Sequence, residues 1–522
     1  MAFSVVGLTP QDTERYIFLL LESARKQDAY KAVVDYRDYY SGKHPVYLTH
    51  RQEEYLGDLL TGTEHIPAHN LCGTVVDVLR ERIVVEGFTG EDAAGEALAE
   101  WAWQLWQWSE MDKGQISLVR RALRDGHSYI ILAWDEANKR PRWHVNRAYD
   151  GVTGVTFYRD PESDEAQIAC KYWERVDLLG KEHRQARRTV YLPDRILRQK
   201  ADAKGEYGWS DIDKAEGPAV SPWVEPMPSA SNPDAGGRKP LGVGVIEFAN
   251  PGGVSEIEGI IGLQNGLNKT WLDLFAAADS AGFPLLTIEY PGPNNEPAAT
   301  DDEDETAGDL QIAPGRATEL FDGAKMQRLD SGDMGQLVNV ITTVTGAIAG
   351  VSRTPQYYLR PFGGSEVPSG EALKQLEAAL ISRAEERQTL FGASYVEAVR
   401  MAAKLARAMG YDAPDPEAQI SVNWKSASTR NELYDADVAT REKALDVPVE
   451  ILWEKRLGYS PSEVEQFKRL RAQAAASQLA NVLTAMAGGN SAQPGSRAAG
   501  QPNSNQQPQA PATGLNRGEP NA

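Results

Sequence analysis

The sequence predicts an α+β protein in which a mixed N-terminal half of short strands and helices gives way to long helices. Three observations carry that prediction. Between residues 150 and 250, short strands and turns dominate with few helical periods. From Val254 onward, Ile257, Ile260, Ile261, Leu267, Trp271, Leu274 and Phe275 recur every three to four residues for about five turns. From Ser369 to Gly410 one register runs unbroken through Leu373, Leu376, Leu380, Ala384, Arg387, Phe391, Tyr395, Val399, Ala402 and Leu405. At 1.5 Å per residue that helix is a rod of about 60 Å, more than one compact domain of this size requires.

Taken in order, the elements justify the class. Thr9 and Pro10 open a helix carrying Tyr16, Ile17, Leu20, Leu21 and Ala24 on one face. A second set, Tyr30, Val33, Val34, Tyr36 and Tyr40, stops at Gly42. Asn70 caps a helix with Leu71, Val75, Val78 and Leu79, and a strand at Ile83-Val84-Val85 ends at Gly87. Trp101, Trp103, Trp106 and Trp108 point several ways on a helix, which reads as a helix buried on most sides. An aromatic base-stacking platform is the alternative, weakened by the lack of nearby bases. A helix from Ile116 to Asp125, a Gly126 turn and a strand from Tyr129 to Trp134 follow. Gly217 to Pro240 is rich in Pro, Ser and Gly and reads as a loop.

The first long helix ends near Gly282-Phe283-Pro284, before a polar insert with a strand at Leu285 to Ile288. Residues 291–310 hold seven acids and no base, including Asp301, Asp302, Glu303, Asp304 and Glu305. This is a solvated loop in pattern, because calcium ligation needs acids at alternate positions, a glycine turn and a later glutamate. Leu337 to Val351 is ambiguous: its β-branched residues suggest a strand, whereas Gly346, Ala347, Ala349 and Gly350 suit a closely packed helix. Ser352-Arg-Thr-Pro355 ends it, and an aromatic and basic loop from Gln356 to Ser365 precedes the Ser369 cap. A strand, Ile420 to Trp424, then leads to helices at Arg430 to Leu445, Val449 to Leu457 and Ser462 to Met486. Beyond Gly488 the composition predicts disorder.

Composition narrows the function. The 522 residues allow about three domains, and 41% hydrophobic with 25% charged residues is ordinary for a folded chain. Acids outnumber bases 74 to 54, for a net charge of −20. That excludes broad electrostatic attachment to phosphate backbones or anionic lipid, although a protein that encloses DNA without gripping it is compatible. Cys72 and Cys170 cannot build a disulfide framework, and a reducing cytoplasm fits them. The N-terminus lacks a signal-peptide pattern. The most membrane-like stretch, Leu337 to Ser352, contains Asn339 and is shorter than the ~20 residues a span needs, so no membrane partner is expected.

Catalytic and cofactor motifs fail one by one. Gly262-Leu-Gln-Asn-Gly266-Leu-Asn-Lys269-Thr270 lacks the glycine that a phosphate loop places before its lysine, and it lies inside a helical pattern. Gly242-Val-Gly244 lacks the third glycine of a dinucleotide site. His65 and His69 have zinc-ligand spacing, but Pro67 between them breaks the helix such a pair needs. Gly126-His-Ser128 lacks the nucleophile-elbow glycine. No catalytic residue, metal site or cofactor is predicted.

The ordered set of elements, with certain local sequences, resembles the portal proteins of tailed double-stranded-DNA bacteriophages. Asn70-Leu-Cys-Gly-Thr-Val-Val-Asp77 through Val85-Glu-Gly87-Phe88 is similar to that family's wing segment. Gly126-His-Ser-Tyr-Ile-Ile-Leu-Ala-Trp134 is similar to the glycine turn and strand that follow, although His127 stands where many relatives carry an acid. Ser352-Arg-Thr-Pro355, then Ser369-Gly-Glu-Ala372 opening a long helix with Phe391-Gly392, resembles the tunnel loop and the helix behind it. The resemblance spans residues 10 to 485. It implies a wing at 1–253, stem helices at 254–282 and 331–353, a small α/β clip at 283–330 and a tunnel loop at 354–368. The long helix and wing return strand occupy 369–427, a helical crown 428–490, and a disordered tail 491–522.

It further implies a homo-oligomeric ring, typically of twelve subunits, at one capsid vertex of the virion, assembled in the host cytoplasm. Double-stranded DNA would pass through the channel, touching Tyr357, Tyr358, Arg360 and Phe362 unless those side chains simply pack on the wing. Gly346, Ala347, Ala349 and Gly350 would let stem helices pack closely. A large terminase would supply ATP hydrolysis, with a head–tail adaptor, the major capsid protein and scaffold as further partners. A non-viral scaffold with a long helical rod, or an enzyme without recognisable motifs, are the competing readings.

Overall fold

The computed structural model describes residues 12, 15–19, 29–45, 50, 69–160, 162–176, 184–201, 208–224, 240–282, 286–289, 325–328, 334–359, 370–428, 432–445, 447–453, 457, 464, 466–473 and 476–477. Residues 15–19 are helical and bury Ile17. Helix α1 (Ala29–Tyr40) is followed by α2 (Cys72–Arg80), which turns Cys72, Val75, Val76 and Leu79 into the core. Asn70 ties them together, accepting from the Gly73 N–H at 3.3 Å and donating to the Tyr40 carbonyl at 2.9 Å. Strand β1 (Val85–Gly90) leads to α3 (Ala93–Trp108), where the Asp92 carboxylate caps the Gly95 N–H at 2.7 Å. Helix α4 (Met111–Asp125) ends at Gly126, whose φ of 84° is left-handed, and a Cβ there would lie 2.3 Å from the Gly253 carbonyl oxygen.

Among the described residues nine strands follow: β2 (His127–Asp135), β3 (Arg140–Arg147), β4 (Gly154–Arg159), β5 (Ala166–Val176), β6 (Arg184–Tyr191), β7 (Arg195–Ala201), β8 (Ser210–Asp211), β9 (Val220–Pro222) and β10 (Val245–Ala249). Next come α5 (Ile261–Gly282), β11 (Leu286–Glu289), β12 (Lys325–Arg328), α6 (Met334–Ser352) and the single turn α7 (Gln356–Leu359). The long helix α8 (Gly370–Ala408), β13 (Ile420–Trp424), α9 (Glu432–Lys443) and the short α10 (Val449–Ile451) complete the series.

Residues 1–430 form one compact unit and 431–522 another. In the first, β2 lies between β10 and β3, and β4 to β9 form a six-stranded antiparallel sheet. β1 pairs with β13, and β11 with β12. The core gathers where the C-terminal half of α8 meets β10 and α3. Phe248 packs edge-on to Tyr395 with centroids 4.8 Å apart, and Trp106 meets Tyr395 at 5.5 Å. Trp106 is fully buried, donates to the Asp112 carboxylate at 2.9 Å and stacks on Trp103. Trp101, Trp103 and Trp108 are partly buried, so the tryptophan run is a core helix and not a stacking platform. Ile17, Ile168, Cys170, Tyr172, Val190 and Leu192 make a separate core under the six-stranded sheet. In the second unit Trp453 packs edge-on to Phe467 at 5.5 Å.

Several elements differ from the sequence reading. The strand expected at Ile83 to Val85 instead starts at Val85 and continues to Gly90, because pairing with Ile420 to Trp424 carries it past Gly87 through a bulge. Gly217 to Pro240 contains a short strand, β9, hydrogen-bonded to β7. The first long helix begins at Ile261, after a 3-10 turn at Glu258–Ile260, and encloses the glycine-lysine stretch that resembles a phosphate loop. The ambiguous Leu337 to Val351 segment is helical. Its helix starts at Met334, and at 19 residues it is long and apolar enough to cross a membrane, although 17% of its apolar window is buried in the chain. The segment Gln356 to Leu359, expected in a loop, is a helical turn. Of the three helices expected after residue 428, the described residues 432–443, 449–453 and 466–473 are helical and fall within Arg430 to Leu445, Val449 to Leu457 and Ser462 to Met486.

Among the described glycines, Gly90 of β1 approaches its neighbour, α3, most closely. A Cβ on Gly90 would lie 2.0 Å from the Gly95 carbonyl carbon, backbone against backbone. Gly90→Ala is therefore expected to lower stability by about 3 kcal/mol, read as a lowered urea midpoint with an unchanged slope. An unchanged midpoint would show that the crossing is looser than described.

Candidate functional site

The segment joining α6 to α8 is built on a sharp reversal. Arg353 takes a left-handed φ of 49°, the role glycine usually fills after a helix, and the Thr354 N–H closes back on the Ala349 carbonyl at 3.1 Å. Pro355 then starts α7, which carries Tyr357 and Tyr358 with ring centroids 4.3 Å apart.

Both tyrosine hydroxyls donate to one oxygen, Glu377 Oε1 on α8, Tyr358 at 2.8 Å. Arg82 donates to the same oxygen at 2.9 Å and to the Tyr358 hydroxyl at 2.8 Å, with its guanidinium over the Tyr358 ring. Glu377 is buried, so three donors on one carboxylate replace its lost hydration. Burial, and then the bond to Glu377, push the Tyr357 hydroxyl above its ordinary range. The Gln388 amide donates to the Arg82 carbonyl at 2.9 Å and to that of Lys425 at 3.1 Å, fixing α8 to the segments beside β1 and β13.

About two to three turns along α8, Arg383 and Arg387 converge on Glu256, the Arg387 Nε at 2.9 Å. All three side chains are less than a tenth exposed. A cleft of about 380 Å³ lies beside them, lined by Asn250, Ser352 and Arg353 among others.

Tyr357 and Tyr358 are thus brought together as an anchor, while Arg360 and Phe362 lie outside the described residues, as do Asp301, Asp302, Glu303, Asp304 and Glu305. Gly346, Ala347, Ala349 and Gly350 sit on α6. Ala349 is buried, whereas Ala347 and Gly350 are exposed. A Cβ at Gly350 would meet nothing within 4 Å, and one at Gly346 only the Gln356 amide at 3.7 Å. Packing inside one subunit therefore does not demand glycine at 346 or 350. α6 runs along α5, burying Ile348 and Leu267, but Met334, Val338, Val340 and Val351 of α6 and Phe275 of α5 stay exposed.

Sequence reasoning missed Arg82, Glu256, Glu377 and Arg383. One signal was present: Arg387 stands on the apolar register of α8, and Arg383 lies one turn before it on the same face. Among the described residues no group of three or more His, Cys, Asp or Glu is placed to hold a metal ion.

Residues 23–478 match the family described as "Phage portal protein, SPP1 Gp6-like". The chain belongs to the phage portal protein family. Two portal proteins, from Mycobacterium phage D29 and Mycobacterium phage L5, are each 26% identical to it over 406 and 403 residues. Those alignments cover 76% of this chain and 76% of each relative. A solved structure titled "Neck of empty GTA particle computed with C6 symmetry" aligns at 13% identity and a TM-score of 0.38, covering 80% of this chain and 96% of that one. That last likeness is too distant to support any statement about this chain. Portal-family membership makes the chain a phage structural protein of the head–tail connection, part of the virion, and displaces the non-viral scaffold reading.

In this portal chain the Glu377 cluster has a measurable weight. Glu377→Ala strands Arg82 as a buried cation and frees two tyrosine hydroxyls, so it is expected to cost about 3–5 kcal/mol. Replacing Arg82 together with Glu377 by apolar residues should cost less than the sum of the single changes, which a double-mutant cycle in urea measures. Additive effects would show that Arg82 and Glu377 do not act as a unit.

Proposed function

We propose that copies of this chain close into a ring, twelve in the family's usual form, at one capsid vertex, and that double-stranded DNA passes through the central channel during packaging and ejection. The observation that carries this reading is α6, a helix apolar enough for a membrane that is only 17% buried in its own subunit. An apolar face of that length needs a cover. Lipid is a poor one, because α5 packed against it carries the partly exposed Lys269–Asp273 ion pair at 3.1 Å. Neighbouring subunits are a good one: a ring sets one face of each subunit against a different face of the next. Exposed Ala347 and Gly350 then let those helices approach closely.

In this reading, residues 1–253 and β13 form the wing, α5 and α6 the stem, and 283–330 the clip, where the β11–β12 pair offers a docking point. The large terminase docks there first and the head–tail adaptor later, and the terminase alone hydrolyses ATP. Residues 428–490 form the crown. The major capsid protein and scaffold surround the ring, which assembles in the host cytoplasm. Twelve copies carry about −240 formal charge, and a net-acidic conduit favours sliding over capture.

The tunnel loop, 354–368, divides into two parts. Tyr357 and Tyr358 are held by Glu377, so they anchor its root. Arg360 and Phe362 remain to meet DNA, Arg360 through phosphate contacts that carry no sequence information. The test is Arg360→Glu with Phe362→Ala in infecting phage. Rings are expected to assemble normally while packaged DNA per capsid falls several-fold. Wild-type DNA yield would refute the channel contact.

A further inference from the structure

The charge of the first unit is unevenly distributed. Strands β5, β6 and β7 together carry eight Lys and Arg and one acid, in a chain of net charge −20. Register places Lys171, Trp173 and Arg175 of β5 on one face with Arg187 of β6 and Arg198 and Lys200 of β7. The opposite face turns Cys170, Tyr172 and Val190 into the core. A turn folds back over part of the basic face: Glu216 pairs with Arg175 and Arg187, and Asp213 with Lys200. Two cations are left without a carboxylate among the described residues. Lys171 lies over the Trp173 ring at 5.8 Å, and Arg198 donates to the Pro218 carbonyl and the Ser221 hydroxyl. The positive field reaches β3, where burial and then Arg142 and Lys171 hold the His144 imidazole below its ordinary range.

The complement lies elsewhere in the same unit. Residues 83–112, spanning β1 and α3, hold seven acids and no base. Glu86, Glu91, Glu96 and Glu100 are exposed, and none has a basic partner among the described residues. Glu96 and Glu100 are one turn apart on a single face of α3.

We propose that the basic face of β5–β7, centred on Lys171 and Arg198, docks onto the acidic β1–α3 surface of the next copy of this chain. The contact is head-to-tail, so it propagates around a closed ring and leaves no copy unpaired. It adds a polar, register-setting contact in the wing to the apolar cover of the stem helices. This inference rests on the ring reading above.

Its test uses two charge-reversed full-length variants, Lys171→Glu/Arg198→Glu and Glu96→Lys/Glu100→Lys, followed by sedimentation velocity at 150 mM salt. Each alone is expected to assemble at least tenfold more weakly than wild type, because like charges now meet. Mixed in equal amounts they should assemble again, each supplying the surface the other lacks, and the chain carrying all four changes should also recover. That rescue separates a lost contact from a misfolded subunit. Wild-type assembly of both single-surface variants would overturn the inference, as would failure of the mixture when both are folded by circular dichroism. Loss of double-stranded-DNA binding in the Lys171/Arg198 variant with assembly intact would assign the face to nucleic acid and overturn it too. A wild-type chain that stays monomeric would instead defeat the ring reading itself.

Discussion

The first unit depends on buried charge along the N-terminal half of α8. Removing a carboxylate and two guanidinium groups from water costs several kcal/mol per ion, and only close pairing offsets it. Glu256 meets that condition with Arg383 and Arg387, and Glu377 does so with Arg82 and two tyrosines. A slip of α8 by one residue would break both clusters and leave several buried ions unpaired. The helix therefore has one register against the segment before α5, the root of the preceding loop and the loop after α2. Its other half needs no such device, because Phe391, Tyr395, Val399 and Ala402 are held by ordinary apolar packing.

That division has a mechanical consequence. Tyr357 and Tyr358 fasten the start of residues 354–368 to α8, and α8 is fastened to β1 and β13 through Gln388 and the aromatic core. Force on the loop is thus passed to the segments beside β1 and β13 through hydrogen bonds and ion pairs in a low-dielectric setting. α6 stands outside this network. Among the described residues its outward face makes no comparable contacts, and it is the surface that association would bury.

Much of this was legible in the sequence because it follows from periodicity. The helices containing Leu267 and Leu380 are written in spacings of three and four. The family resemblance was carried by local sequence around Asn70, Gly126 and Ser352, and the family match over 23–478 agrees with it. What was not legible depends on contacts distant in sequence. Val85 to Gly90 is a strand because Ile420 to Trp424 lies beside it, more than 300 residues away, and no local signal extends past Gly87. Glu377 and Arg82 look like surface charges until folding brings them together. The Gln356 to Leu359 turn is too short to show a helical period, and it is held by its tyrosine hydroxyls. Met334 to Ser352 defeated periodicity because β-branched residues and glycines mark strands and close-packed helices alike.

The central claim is that the exposed apolar face of α6 is an interface between copies of this chain. Electron micrographs of the purified protein, free of lipid and detergent, address it most directly. The account predicts closed rings with a central hole and a mass about twelve times 57.2 kDa. A population that remains single 57.2 kDa chains at high concentration, with no ring at the capsid vertex in virions, would contradict it.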